Sequence, residues 1–497
     1  MSSLSLPVTK LSTEFIPFTG GYDTDSPVVF LPAGIVTSSK NFEEDVNGGY
    51  ITTTGYERFN GKPKPSSAIA YKLNVTNIGT ATVGSTLTGA TSGATCKILA
   101  IYPSYFVVTK TTGVFVTESS TAGSVSIVGP AIGAAFSGLE LALNTQLAAN
   151  DYRLDIAAVP GTGPILGVWH YNNVVYAFRN TLTTGVGMYK SSTSGYVQVV
   201  FGEEVSFSNA NTSVQDADVL TQGAVTATIS RVVVQSGTLA SGTNTGRLII
   251  TGRAGGNYTA AAATSTGGGA LTLSGAQTAI TIPNQNGRFE FVNANFTGAS
   301  TSYRMYGVDG SNRAFEFDGT TFVPITSALP VDQPEHIVEF KKHLFLSESS
   351  RVVNSAIGDP YNWTSTAGAA EIGLGEDLTG FQLQPGATSG GALSMFCRNH
   401  TYMFYGTSAA DWNLVSYNSE SGAIPYTIQK IGQTFSMDDR GLTSMEAAQE
   451  FGNFIQSTVS RRVNTWLRGL RNLAIDSQIA YDGVMPYLRP FIGNNKS

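Results

Sequence analysis

Charge is the scarcest commodity in this chain of 497 residues: Asp, Glu, Lys and Arg make up 13% of it, against about 25% in an ordinary globular domain. With 29 basic and 35 acidic residues the net charge is −6, and a mildly acidic chain is a poor binder of phosphate backbones, which are gripped by clustered Lys and Arg. Cysteine is nearly absent. Cys96 and Cys397 match no metal or redox spacing, and both sit in apolar surroundings that read as buried free thiols. No apolar run reaches 18 residues, which excludes a membrane-spanning helix. The opening Met-Ser-Ser-Leu-Ser-Leu-Pro has no basic segment followed by an apolar core, so no secretory signal is expected and folding in a cytoplasm is.

Glycine, by contrast, is plentiful at 55 residues, and 21 Tyr with 26 Phe supply the material of a core. A turn-rich, charge-poor, aromatic-rich chain reads as a folded all-β protein. Residues 1–63 read as an extended arm: Pro27, Pro32 and Gly34 break any helix, and Gly48-Gly49 marks a turn before Tyr50-Ile-Thr-Thr-Thr54. Two stretches then change composition. Residues 76–137 repeat Thr, Gly, Ser and Ala, and between Leu220 and Arg288 there is no acidic residue and only one aromatic, Tyr258. Flexible linkers share that composition. Linkers, however, need no β-branched runs such as Tyr105-Phe-Val-Val-Thr109, Arg231-Val-Val-Val234 and Arg247-Leu-Ile-Ile-Thr251, so small inserted β modules are expected at 76–137 and 218–283.

Outside these modules a unit recurs: apolar strand, polar turn, apolar strand. It reads at Leu166–Phe178, Ile337–Leu346, Leu393–Tyr405 and Met445–Ile455, with turns near Asn173, Lys342, Asn399 and Gly452, the last two steps being 57 and 53 residues. Another unit begins at Arg288–Phe296 and Tyr303–Tyr306, and an outer hairpin turns at Asp318-Gly319. Four-stranded units at a period near 50 predict propeller blades; an irregular β-sandwich is the competing architecture. The expected fold is therefore a β-propeller-like platform (64–75, 138–217 and 284–449) carrying the arm and the two modules. A last strand and short helix follow at 450–480, and a tail at 481–497. Helix is expected only near the end, where Val463, Trp466, Leu467, Leu470 and Ala474 share a face.

Chemistry-bearing patterns are few. Gly161–Gly167 and Gly373–Gly380 miss the dinucleotide spacing. His170, His336, His343 and His400 show no paired metal-ligand spacing. Asp23 with Asp25, Glu43-Glu44-Asp45, Glu376-Asp377 and Asp438-Asp439 are carboxylate pairs, but adjacent residues of a strand face opposite ways, whereas glycoside hydrolysis needs two carboxyls across a cleft. Asp309-Gly-Ser-Asn312 reads as a turn before it reads as a calcium loop. Arg461, Arg462, Arg468 and Arg471 form a basic strip, read as a solvated helix face or an inter-subunit ion-pair site rather than a DNA grip. No catalytic, cofactor or metal residue is assigned.

Three segments carry a family likeness. They are Gly20-Gly-Tyr-Asp-Thr-Asp25 with Leu31-Pro-Ala-Gly34, Asn41-Phe42 and Gly55-Tyr-Glu-Arg-Phe-Asn-Gly61; Ser355-Ala-Ile-Gly-Asp-Pro-Tyr-Asn-Trp363; and Tyr402-Met-Phe-Tyr-Gly406, Gln433-Thr-Phe435, Asp439-Arg-Gly-Leu442 and Phe451-Gly-Asn-Phe-Ile-Gln-Ser-Thr458. In this order they resemble the tail nozzle proteins of short-tailed phages, also called tail tubular protein B or packaged-DNA stabilisation proteins. The resemblance covers about two thirds of the chain and excludes both modules. It implies a non-enzymatic virion subunit without cofactor, forming a homo-hexameric ring beneath a tail adaptor ring. Tail fibres are its further neighbours, and genomic DNA passes it without specific binding. In that family another blade follows the helix. Here Pro486 and Pro490 argue against a central strand in 481–492, so the arm around Val28–Phe30 or Tyr50–Thr54, or the tail, is expected to cover open blade edges or pack on another chain. The arginines of 461–471 should face neighbours or the outside, and deletion of 220–282 should leave a folded protein. The alternative from another class is a tail-tip propeller that binds host-receptor carbohydrate. A propeller hydrolase, the third reading, lacks the expected Ser-x-Asp-x-Gly-x-Thr-Trp hairpins.

Overall fold

A computed structural model describes residues 20–44, 49–53, 57–133, 136–384, 391–447, 454–458, 460–463, 465 and 467. Among these residues, five four-stranded antiparallel meanders follow one another. We name them blades I (Thr162–Tyr171, Val174–Asn180, Val186–Ser192, Gly195–Gln198), II (Glu290–Asn295, Tyr303–Val308, Phe315–Phe317, Phe322–Pro324) and III (His336–Phe340, His343–Glu348, Arg351–Asn354, Ala370–Gly373). Blades IV (Leu378–Gln384, Ala392–Cys397, Thr401–Tyr405, Asn413–Asn418) and V (Gln429–Ile431, Gln433–Asp438, Gly441–Ala447, Phe454–Thr458) complete the set. The fold is all-β and propeller-like. Contacts divide it into two compact units. One holds the described residues of Met1–Thr54, Asn180–Val186 and Val200–Ser497; the other holds Gly55–Arg179 and Gly187–Val199, which carry most of blade I.

Within the first unit, alternation explains how blades II to V stack. In blade III, Ile337, Leu344, Leu346 and Val353 pack on Ala294, Tyr306 and Val308 of blade II. The intervening residues Val338, Phe340, Phe345 and Val352 pack on Phe381, Leu393, Met395 and Phe404 of blade IV. Strand side chains point to opposite faces in turn, so a near-continuous apolar run buries both faces. Phe396 and Met403 of blade IV then meet Ile428 and Met445 of blade V. Tight turns connect the strands. Asn172-Asn173 and Lys341-Lys342 both take positive φ at two successive residues, the geometry of a two-residue hairpin turn. Lys342 is held there by its Nζ on the Asn295 carbonyl (2.7 Å) and its N–H on Glu339 (2.9 Å).

The repeat is real, but its phase differs from the expectation. The hairpins aligned by sequence join strands 1 and 2 in blades I and III, strands 2 and 3 in blade IV, and strands 3 and 4 in blade V. First strands begin at 290, 336, 378 and 429 in blades II to V, a spacing of 42 to 51 residues. Every strand pair in a meander looks alike in hydropathy, so the pattern marks hairpins without ranking them. Gly452 and the 481–497 tail lie outside the described residues. So does most of the expected C-terminal helix, of which only the Arg461–Val463 turn, Thr465 and Leu467 are described.

Both modules are folded and have their own cores. In the first, a six-stranded sheet encloses Leu73, Leu87, Cys96, Ile98, Phe106 and Ile127. Its central strand is Tyr71–Asn77, which pairs with Tyr105–Thr112 on one side and Ser126–Gly133 on the other. A boundary at 76 therefore cuts the middle strand. The second sheet starts at Glu203–Ser208, well before 218, because that strand pairs along its length with Thr245–Ala254. Composition marks the Gly/Thr-rich parts, whereas hydrogen bonding recruits flanking strands of ordinary composition. The second module is also clamped to blade II. Arg231 pairs with Glu316 (2.8 Å), Asp318 (2.5 Å) and Asp216 (3.3 Å). Arg247 pairs with Glu204 and donates to the Pro324 carbonyl (2.6 Å).

Helix is not confined to the end, contrary to the sequence reading. Gly138–Leu154 form a helix, α1. Ser137 with Glu140 has the spacing of a capping box, and Ala, Leu, Gln and Arg are good helix formers. The reading missed it because its leucines do not face the sheet. The side toward the module buries Ala148 and Ala149 with Ala68, Ala70, Val107 and Phe136, together with Asn144 and Asp151. Asp151 is clasped by Lys97 (2.5 Å) and Lys110 (2.6 Å), and Lys110 also reaches Asp155 (2.5 Å). Burial pushes the Asp151 carboxyl up, but the two lysines more than offset this and hold it below the ordinary range. A depressed folded pKa means the stabilisation is present above the unfolded value and is lost as pH falls through the folded one. Asp151→Asn is expected to lower stability by about 1–3 kcal/mol near neutral pH, with the difference shrinking in acid. Urea unfolding at pH 7 and below pH 4 checks both; equal midpoints at pH 7 would exclude the ion pairs as a determinant.

Candidate functional site

The first strands of blades II, III and V begin at one end of the stack, and the residues at these starts meet. The buried His336, opening blade III, places Nδ1 3.1 Å from Oε1 of the buried Glu290, which opens blade II. Its ring lies 5.7 Å from that of Tyr426, on the approach to blade V. The Arg288 guanidinium stacks over the same tyrosine at 3.7 Å, a distance at which cation–π attraction is effective. Tyr426 has φ +64°, an outlier for a bulky residue, held within a loop where Thr427 Oγ donates to Ile424 O (2.7 Å) and accepts from Met437 N (3.2 Å). Burial pushes the neighbouring Glu335 carboxyl up; His336 pulls it down, while Asp377, Glu348 and Glu290 add to the rise.

Polar contacts continue around this end. Glu376, just before blade IV, accepts from Asn399 N (2.9 Å) and Nδ2 (3.2 Å) and faces His400 Nδ1 at 3.1 Å. The backbone bond from Asn399 leads the forces that hold it below the ordinary carboxylate range. Arg398 of blade IV meets Asp439 of blade V at 2.8 Å, and Asp438 takes Arg440 (2.8 Å) and Ser421 (2.6 Å). What this arrangement does chemically is join blades: Glu290–His336 links blade II to III, Arg288–Tyr426 links blade II to the approach to V, and Arg398–Asp439 links IV to V.

The structure thus gathers His336, His400, Glu376, Asp377, Asp438 and Asp439 at one end, and leaves the other candidates elsewhere. His343 is buried against the Ser355 carbonyl (2.6 Å) and the Trp412 ring (5.1 Å). His170 is exposed on blade I. Asp23 accepts from Ser26 N (2.9 Å) and Asp25 N (3.0 Å), and the Ser26 bond leads in holding it low. Glu43 and Glu44 lie on a short strand paired with Tyr50–Thr52; Asp45 falls outside the described residues. Asp309 is taken up by Asn312 N (2.7 Å), Asn312 Nδ2 (2.6 Å) and Ser311 N (3.0 Å) in its own turn. Gly161–Gly167 runs into a blade I strand, and Gly373–Gly380 joins blades III and IV.

Cys96 and Cys397 are buried free thiols, each pushed up to about 12 by burial. The basic strip divides: Arg462 serves the chain's own arm, its carbonyl accepting from Thr24 N (2.9 Å) and its guanidinium donating to Gly20 O (3.4 Å). Arg468 and Arg471 lie outside the described residues. Arg288, Glu335 and Tyr426 were not singled out by sequence. The available signal is their place directly before a first strand, after Pro334 and Pro425 in two cases. Among the described residues no group of three or more His, Cys, Asp or Glu is placed to hold a metal ion, and no helix is long and apolar enough to cross a membrane.

No protein-family model matches this chain, and no curated protein matches it by sequence. Among solved structures it is similar to the computationally designed Ika8 protein (11% identity, 61% of this chain and 90% of that one, TM-score 0.25). It is also similar to BBS1N in complex with ARL6DN (13%, 56% and 78%, TM-score 0.24) and to an endosialidase of phage phi92 (11%, 86% and 70%, TM-score 0.22). At TM-scores this low none of these likenesses bears on function.

Proposed function

We propose that this chain is a structural subunit of a short-tailed phage virion, a tail nozzle protein that assembles as a hexameric ring, retains packaged DNA and serves as its exit channel. The observation that carries the reading is the order of the resembling segments. Ser355–Trp363 falls between the third and fourth strands of blade III, Tyr402–Gly406 on blade IV, and Gln433–Phe435, Asp439–Leu442 and the strand Phe454–Thr458 on blade V. In this reading the conduit forms between copies, which is what ring assembly supplies. An adaptor ring and tail fibres are its expected neighbours.

Electron microscopy of purified protein and of virions tests this directly. A ring with density on the capsid–tail axis is the expected result. Density confined to the tail periphery would replace the nozzle with the carbohydrate-binding reading.

A further inference from the structure

A cleft of about 230 Å³ lies at the outer edge of blade II, where the strand Phe322–Pro324 meets the segment leaving the second module and the link to blade III. Every residue lining it belongs to one compact unit. Space of that size holds roughly eight waters, below the roughly 300–1,000 Å³ of sites that enclose drug-sized ligands. Its apolar lining is Ile282, Pro283, Phe322, Pro324 and Val331, and its polar lining includes Asn284, Ser311, Arg313, Asp332 and Gln333. The polar residues are fixed by their own loops and keep hydrogen-bonding capacity. Asn284 donates from N to Asn312 Oδ1 (2.8 Å) and from Nδ2 to Ser311 O (2.6 Å), which leaves its side-chain oxygen. Asp332 accepts from Ser327 N (3.0 Å) and Oγ (2.5 Å) through Oδ1 alone, which leaves Oδ2. The N–H groups of Val331 and Gln333 both donate to Glu348 (3.3 Å each). Among the described residues the Gln333 amide and the Ser311 hydroxyl have no hydrogen-bond partner.

We infer that this cleft binds one neutral sugar ring. The chemistry of the lining selects that class. The Gln333 amide and the Ser311 hydroxyl each offer a donor and an acceptor, while Asp332 Oδ2 and Asn284 Oδ1 offer acceptors alone. Vicinal hydroxyls of a pyranose use that mixture, and its C–H face suits the proline and valine lining. An apolar ligand would strip water from these polar groups and return no hydrogen bonds. An anion meets the wrong charge: the Arg313 guanidinium is already paired with Glu204 (2.9 Å), and Asp332 with Glu348 adds negative charge. A single ring of this kind is presented by the end of a glycan chain or by a free monosaccharide. The inference is independent of ring assembly and adds a binding activity to the proposed function.

Ligand-detected NMR and calorimetry on the full chain test it. The probes are the methyl glycosides of glucose, galactose, mannose and N-acetylglucosamine, with N-acetylneuraminic acid as the anionic control. At least one neutral probe is expected to bind with a millimolar Kd. Gln333→Ala combined with Ser311→Ala removes only side-chain groups without protein partners, so it should weaken binding at least tenfold at an unchanged melting temperature. Val331→Trp, at a position 65% exposed, should fill the cleft and abolish binding. Failure of every neutral probe, binding that survives these variants, or tighter binding of N-acetylneuraminic acid would each overturn the assignment. A linear oligosaccharide of the bound sugar separates the sources. Tighter binding than the methyl glycoside assigns a glycan chain end and equal binding a free sugar, and either result upholds the cleft as the site.

Discussion

Phage particles assembled without this protein are expected to fill with DNA and then lose it. Under the proposed reading the ring closes the end of the exit channel, so its absence unplugs a filled capsid, and infectivity falls by orders of magnitude while head assembly continues. The charge of the chain fits a ring that, under the proposed reading, holds a genome and releases it quickly. Each phosphate contact by Lys or Arg adds affinity and slows passage, and for copies that each carry −6 an uncharged-to-acidic lining is the expectation under this reading. Counting DNA-filled and empty heads by electron microscopy, with nuclease sensitivity of the packaged genome, measures the effect. Particles that keep their DNA but fail to adsorb to cells would replace the nozzle with the receptor-binding reading.

Removing residues 220–282 should unfold the blade stack rather than trim it, which reverses the expectation from sequence. The deletion takes away Arg231 and Arg247 and leaves Glu316, whose side chain is only 4% exposed, facing the buried Tyr306 hydroxyl (2.8 Å) with Arg304 at 3.3 Å as its remaining cation. It also strips Glu203–Ser208 of its pairing strand. A buried carboxylate that loses one of its two guanidinium partners costs about 2–4 kcal/mol, a sizeable share of the 5–15 kcal/mol that usually holds a domain together. Arg231→Ala isolates the electrostatic part. Burial alone would lower the Arg231 pKa, but Glu316 and its neighbours raise it, so the native site favours the charged form. The expected loss is about 2–4 kcal/mol, read as a lower urea midpoint. Arg231→Met combined with Glu316→Gln should recover part of it. A deletion variant that melts like the full chain would mean the module is an independent appendage.

The blades were legible because both faces of each inner sheet are apolar and their turns are polar, so hairpins such as Ile337–Leu346 stand out. The Asp318-Gly319 turn is as expected: Asp318 accepts from Thr320 N (2.8 Å) and Thr321 N (2.7 Å), with Gly319 at φ +102°. Helix α1 was illegible for the opposite reason. It inverts the usual pattern, with Ala148 and Asp151 inside and Leu143 and Leu147 outside, and no search for an inward apolar stripe finds such a helix. The cluster at the blade starts was half legible. His336 and Glu376 were noticed as residue types, whereas Arg288 and Tyr426 acquire meaning only when strands begun 139 residues apart, at 290 and 429, are brought to one end.

The bond between the arm and the C-terminal segment has a consequence for the order of synthesis. Thr465 N donates to Asp25 Oδ1 at 3.1 Å, across 440 residues of sequence, and Arg462 reaches Gly20 across 442. Domains fold from the N-terminus as they leave the ribosome, yet this contact cannot form until residue 465 has emerged. The arm is thus made well before its anchor. A chain truncated before residues 462–465 lacks these bonds, and its arm loses that anchor.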